Sequence, residues 1–169
     1  MKLLEMLALP PTKLQKDKIV KYVGASQHRF DELMRVFIAG PYRITQRAAW
    51  PLSYCVQVYP YLLQPHFNTI TKTLSASALP DALKRNLLRS LQFVKIPARY
   101  QGRIATCCFA FLTGTEPVAV KVFAMTVLAD LAKDNADLKN EIIPLLEDQL
   151  PYGSAGFIAR AKRVLKQLK

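Results

Sequence analysis

The chain has 169 residues, which is enough for one domain with a sizeable core. Its 51% hydrophobic and 21% charged residues exclude a disordered chain, and no stretch approaches about 18 apolar residues without a charge, which excludes a membrane span. The net charge of +12 favours an acidic partner, most obviously nucleic acid.

The first segment, residues 1–11, is predicted to be a short helix and not a signal peptide. Glu5 interrupts its apolar run, two prolines end it, and no small-residue cleavage pattern follows. Residues 12–39 are predicted to form a first, less regular helical hairpin.

Three further helix pairs and a closing helix are predicted from apolar residues at helical spacing. Their ranges are 42–59 with 65–75, 80–95 with 98–113, 116–133 with 137–150, and finally 154–168. The helix at 116–133 is apolar nearly all round, so we expect it to be covered on most sides. No segment alternates convincingly with period two, so no sheet is expected.

Two markers recur along the chain with a similar period. Prolines at Pro11, Pro41, Pro80, Pro117 and Pro151 are separated by 30, 39, 37 and 34 residues, each near a predicted helix start. A basic residue followed by an apolar run recurs at Arg47, Arg85, Lys121 and Arg160, in steps of 38, 36 and 39. A period of this size is typical of a helical solenoid.

The most regular unit resembles a HEAT repeat. The resemblance rests on Pro117-Val-Ala-Val-Lys121, the small and apolar residues up to Ala132, and the leucine-rich segment Glu141–Leu150. Arg47-Ala-Ala-Trp-Pro51 is similar. The resemblance implies an all-α, right-handed α-α superhelix of about four HEAT-like hairpins, in which first helices form an outer layer and second helices an inner, usually concave one.

We expect a single HEAT-like domain over residues 1–169. It divides into an irregular first hairpin, three repeats and a closing helix, with the boundaries 1–40, 41–76, 77–114, 115–150 and 151–169.

The cysteines and histidines offer little chemistry. Cys55, Cys107 and Cys108 form no metal or disulfide pattern, and they suit a reducing cytoplasm as small core residues. A nucleophile pair of His66 with Cys107 or Cys108 is the enzymatic alternative. Since no Gly-rich phosphate loop accompanies them, we predict no catalytic site, no metal and no cofactor.

The middle of the chain carries the strongest positive charge. Residues 48–115 hold seven basic residues and a single acid, Asp81. Lys72, Arg99 and Arg103 are predicted to form a basic patch on the inner helices, which would suit phosphates. A second cluster is expected on the outer layer, formed by Lys84, Arg85 and Arg89. The plainer interpretation is a solvated face that keeps the protein soluble.

The leading functional hypothesis is a non-enzymatic cytoplasmic scaffold that binds a protein or peptide through its concave face. The alternative is non-sequence-specific nucleic-acid binding through the basic patch. A DNA-glycosylase-like HEAT protein is a third hypothesis, and it would need Trp50 and an acid such as Asp81 in one pocket.

Overall fold

The computed structural model describes residues 2–169, and within that range every regular element is helical. Ten α-helices follow one another, with short 3₁₀ segments at Pro60–His66 and Leu150–Tyr152. The prediction of an all-α fold without a sheet is confirmed. In chain order, the helices α1 to α10 are Lys2–Ala8, Lys13–Val23, Gln27–Ala39, Tyr42–Val58, Phe67–Leu74, Asp81–Leu91, Ala98–Thr113, Val118–Ala132, Ala136–Gln149 and Ala155–Leu168.

From α3 onward, the helices alternate between two layers. The first-helix layer consists of α4, α6, α8 and α10, each of which packs against the next. The second-helix layer consists of α3, α5, α7 and α9. Among the described residues, only α5 and α7 of this layer pack closely together, while α7 and α9 scarcely contact each other. The two layers therefore differ in how tightly their neighbours are spaced.

Several buried residues of the first-helix layer are small. Ser53 of α4, Ser90 of α6 and Ala129 of α8 are each at most 1% exposed. The distance between packed helices depends on the side chains at the contact, and small ones allow a close approach.

Helix α8 lies at the centre of the stack, as its apolar sequence predicts. It packs against α6 and α10 in its own layer and against α7 and α9 in the other. Leu128 and Met125 are fully buried, and one continuous core runs from Leu3 to Leu168.

The prolines mark helix starts, as predicted for three of the four first helices. Pro41, Pro80 and Pro117 are the N-cap residues of α4, α6 and α8, with φ of −58°, −59° and −55°. Pro151 lies in a 3₁₀ segment three residues before the N-cap of α10, so it precedes that helix without capping it. Ser154 caps α10 instead, because its hydroxyl can accept a hydrogen bond from the Phe157 N–H.

The basic marker does not keep the register that its period suggests. Counted from the N-cap, Arg47 and Arg160 are sixth residues, Arg85 is a fifth and Lys121 is a fourth. A step of one residue rotates a side chain by about 100° around a helix. Arg85 and Lys121 therefore point in directions different from that of Arg47 and Arg160, and the N-caps give the better alignment of the helices.

Polar contacts fix the N-terminal helix to the stack. The Gln15 side chain donates to the carbonyl of Met6 at 2.6 Å, and Arg47 donates to the carbonyls of Leu7 at 3.2 Å and Ala8 at 2.5 Å. The last carbonyls of a helix have no partner within it, so these donors satisfy the end of α1.

Candidate functional site

Charge is divided unequally between the two helix layers. The four helices of the first-helix layer contain ten basic and two acidic residues, a net charge of +8. Those of the second-helix layer contain six of each and are neutral. The net positive charge of these helices therefore lies in the first-helix layer, and the helix layer describes its distribution better than the position along the sequence does.

The predicted basic residues are split between these layers. Lys72 lies on α5 and Arg99 and Arg103 lie on α7, all three exposed in the second-helix layer. The Arg99 guanidinium lies 4.8 Å from the centre of the Tyr100 ring, and that ring stacks on Phe67 of α5 at 5.8 Å. The stack joins α5 to α7, the two helices that carry the predicted patch.

The second predicted cluster lies on α6, in the first-helix layer. Arg85 is exposed and Arg89 is half-buried. Lys84 is only 15% exposed and pairs with Glu116 at 2.7 Å and with Asp81 at 3.8 Å. Because its charge is already neutralised within the fold, Lys84 is poorly suited to hold an external anion.

An arginine-rich surface that the sequence analysis did not identify runs across the first-helix layer. Counted from each N-cap, the second, fifth, sixth and ninth residues lie on one side of a helix, within about 100° of one another. We call the arginines at these positions the arginine face; they are Arg43 on α4, Arg85 and Arg89 on α6, and Arg160 and Arg163 on α10, whereas Arg47 of α4 is engaged by the carbonyls of α1.

Helix α8 contributes a hydroxyl instead of a cation. Thr126 is the ninth residue after its N-cap, and its side-chain oxygen accepts a 2.6 Å hydrogen bond from Arg160. The layer's two acids lie near helix ends, where Asp81 is close to Lys84 and Asp130 pairs with Lys133 at 2.8 Å. The signal that could have revealed this surface is the position of each arginine relative to its N-cap.

An aromatic pair borders the arginine face on α4. Trp50 and Tyr54 pack edge to face, with ring centres 6.4 Å apart. Lys16 of α2 lies 3.7 Å from the centre of the Tyr54 ring and 5.6 Å from that of Trp50. Trp50 and Asp81 lie on neighbouring helices, with Asp81 exposed at the N-terminal end of α6. Since a lysine of the chain itself covers the aromatic rings, the arrangement does not provide the open pocket that glycosylase chemistry needs.

A cleft of about 380 Å³ opens between α3 and α5, lined by Met34, Ile38 and Arg35. At its edge, His66 bonds to Asp31 at 2.7 Å, and Gln27 donates to the same carboxylate oxygen at 2.7 Å. Burial acts to raise the pKa of Asp31, but the hydrogen bonds from Gln27 and His66 outweigh it, and the pKa lies below its usual range.

A second cleft of about 400 Å³ lies between α5 and α7. Leu74 and Phe111 line it together with Arg103, and Cys107 lies 3.5 Å from the Ser75 hydroxyl. Its walls are therefore partly apolar and partly charged.

The cysteines do not form the nucleophile pair considered above. His66 bonds to Asp31, Cys107 lies 3.5 Å from the Ser75 hydroxyl, and Cys108 is fully buried, as is Cys55. Burial raises the pKa of the Cys55 thiol to about 12 and also raises that of Cys108. A raised pKa leaves little of the reactive thiolate at neutral pH.

Two other kinds of site are absent from residues 2–169. No cluster of three His, Cys, Asp or Glu side chains there could hold a metal ion. No helix in that range has both the length and the apolar character to cross a bilayer.

Comparison with known proteins agrees with this architecture. A family model described as a HEAT repeat domain matches residues 3–168. The chain belongs to the HEAT repeat family. No curated protein and no solved structure matched it. Membership in the HEAT repeat family establishes a scaffold of stacked helices, but it does not identify the partner of that scaffold.

Proposed function

We propose that this HEAT protein is a non-enzymatic scaffold that binds a protein or peptide through its second-helix layer. The observation that carries the proposal is the pair of open clefts on the two sides of α5 in that layer. Repeat proteins of this type bind partners along extended surfaces.

The chemistry of the clefts suits a protein partner. Buried apolar side chains such as Met34, Leu74 and Phe111 form their floors, and Arg35 and Arg103 lie beside them. Protein interfaces combine an apolar centre with a polar rim in this way. Lys72, Arg99 and Arg103 would then contact acidic residues of the partner.

The charge of the second-helix layer also varies along its length. Helices α5 and α7 carry three basic residues and no acid, whereas α9 carries four acids and Lys139. A partner with the opposite polarity would be held in one orientation, since complementary charge contributes chiefly to specificity.

The cysteines support a location in a reducing compartment. The three cysteines are free, and two of them are fully buried. Free thiols are typical of proteins in the cytoplasm, where disulfides are rare.

Site-specific photocrosslinking in cells tests the proposal. A benzophenone side chain would replace Thr69 of α5 or Thr106 of α7, both exposed, and in a matched control it would replace exposed Ala159 of α10. We expect defined protein adducts from positions 69 and 106 that decrease when Arg103 is changed to Glu. Failure to obtain protein adducts at either position, or equal adducts at position 159, would sink the proposal.

A further inference from the structure

We propose that the arginine face is a second, separate binding surface, and that it binds the phosphate backbone of a nucleic acid. The proposal does not depend on the partner of the second-helix layer, because the two surfaces belong to opposite layers of the fold.

The chemical character of the residues suits a phosphate ligand. The face consists of arginines, whose planar guanidinium groups donate paired hydrogen bonds to phosphate oxygens. Arg43, Arg85 and Arg163 are exposed, and none of the three forms an ion pair with any described residue. Their charges are therefore available to an external anion.

The length of the arginine face suits an extended polyanion. The arginines occupy the first, second and fourth of four helices that pack side by side. Packed helices lie about 8–10 Å apart, so the face extends over about 25–30 Å. Phosphates of one strand repeat about every 3.4 Å along a duplex, and a polyanion of that kind can contact every part of such a surface.

The position of the exposed apolar residues favours a nucleic acid over an acidic protein. A protein interface requires an apolar core within its polar rim. In the first-helix layer, the exposed large apolar residues are Tyr42, Val58 and Val118, and all three lie at helix ends. The middle of the face offers cations, Thr126 and the edge of Trp50, which suit phosphates better than an apolar anchor.

The spacing of the helices also affects the direction in which the stack curves. A stack of helix pairs is shorter along the layer whose neighbours are more closely spaced, so it curves toward that layer. Here the close spacing belongs to the first-helix layer, whereas the HEAT resemblance implies a concave second-helix layer. The arginines would then line the inner side of the curve and converge on a bound strand.

The test compares two variants that each remove three positive charges. The face variant is Arg85→Gln, Arg89→Gln and Arg163→Gln, and the control variant is Lys72→Gln, Arg99→Gln and Arg103→Gln on the opposite layer. Binding of a labelled DNA duplex and of a labelled RNA strand is measured by fluorescence anisotropy over a series of salt concentrations, and circular dichroism confirms folding.

We expect the wild type to bind both probes at low salt. The face variant should lose more than about tenfold in affinity, and its salt slope should fall by about two to three. The control variant should stay within about twofold of the wild type. No binding by the wild type, an equal loss in both variants, or a greater loss in the control would each overturn the proposal.

Two further measurements separate the alternatives. A labelled polyglutamate peptide should bind more weakly than the nucleic acids, and tighter binding of the peptide would favour an acidic protein instead. Benzophenone at position 159, beside Arg160, should crosslink to labelled DNA, whereas benzophenone at position 106 should not. This crosslinking needs no change to the arginines, so it decides the matter even if the face variant fails to fold.

Discussion

The Arg160 guanidinium of α10 donates a 2.6 Å hydrogen bond to the hydroxyl of Thr126 on α8. Both side chains are half-buried, and the bond joins the closing helix to the central helix of the stack. The same arginine belongs to the arginine face, so this contact also holds one of its cations in place.

Replacing Thr126 with Val should destabilise the fold by about 1 kcal/mol, because a hydrogen bond of this kind contributes about that much to the free energy of unfolding. Urea unfolding measures the change. Arg163→Gln, at an exposed position without an ion pair, is the control and should change stability by less than about 0.5 kcal/mol. Equal effects of the two substitutions would show that the bond contributes nothing.

Lys84 and Glu116 form the least exposed ion pair between acidic and basic side chains of the described chain, at 15% and 18% exposure. Removing one partner leaves the other poorly solvated, so Lys84→Met and Glu116→Gln should each cost about 1–3 kcal/mol. The double variant Lys84→Met/Glu116→Gln should lose less than the sum of the two single losses in a double-mutant cycle. Strict additivity of the two losses would contradict the predicted coupling.

Asp31 should make stability depend on pH on the acid side. Its folded-state pKa lies below the ordinary value of 3.8, so its contribution is present above about pH 4 and is lost as the pH falls through the folded-state pKa. The difference in unfolding free energy between the wild type and Asp31→Asn should therefore be largest near neutral pH and shrink at about pH 3. Asp148→Asn, at an exposed position without an ion pair among the described residues, is a suitable control, and a difference that grows toward acid would contradict this assignment.

The close spacing of the first-helix layer should make it sensitive to larger side chains. Ala129 of α8 is 1% exposed, and Ala129→Leu would force neighbouring helices apart at a cost of about 1–3 kcal/mol. Ala110→Leu, at an exposed position of α7, should be nearly neutral. Thermal unfolding of both variants makes the comparison, and an unchanged melting temperature for Ala129→Leu would argue against tight packing in this layer.

One cysteine should react readily with a thiol reagent in the folded protein. Cys107 is partly exposed, whereas burial raises the pKa of Cys55 to about 12 and that of Cys108 as well. At about pH 8 we expect one fast modification in the native state and three after unfolding. Peptide mass spectrometry identifies the modified residue, and rapid modification of Cys55 would contradict the burial described here.

Much of the fold follows from local sequence patterns. Apolar residues at helical spacing and prolines at helix starts gave the helices, and the bounds predicted for 98–113 agree with α7. The division of the chain into repeats stays a prediction. The helix expected over 80–95 ends earlier, at Leu91, because Gln92–Val94 turn toward the loop before Pro97.

The site was harder to predict, because it depends on which helices are neighbours. The sequence predicts Lys72, Arg99 and Arg103 on inner helices and Arg85 with Arg89 on the outer layer, and in the fold the two sets also lie on different layers. The arginines of α4 and α10 are over 100 residues apart in sequence and share a layer only through α6 and α8. Aligning the helices on their N-caps would have grouped them, whereas the period of the basic residues alone could not.

The near absence of acids from the first-helix layer means that salt should affect this protein in two opposite ways. Like charges on neighbouring helices repel each other, and dissolved ions screen that repulsion, so moderate salt should make the folded chain harder to unfold. The same ions compete with a phosphate backbone for the arginines and should weaken its binding. A buffer that favours purification and storage of this protein would therefore hide the activity that we assign to its most basic surface.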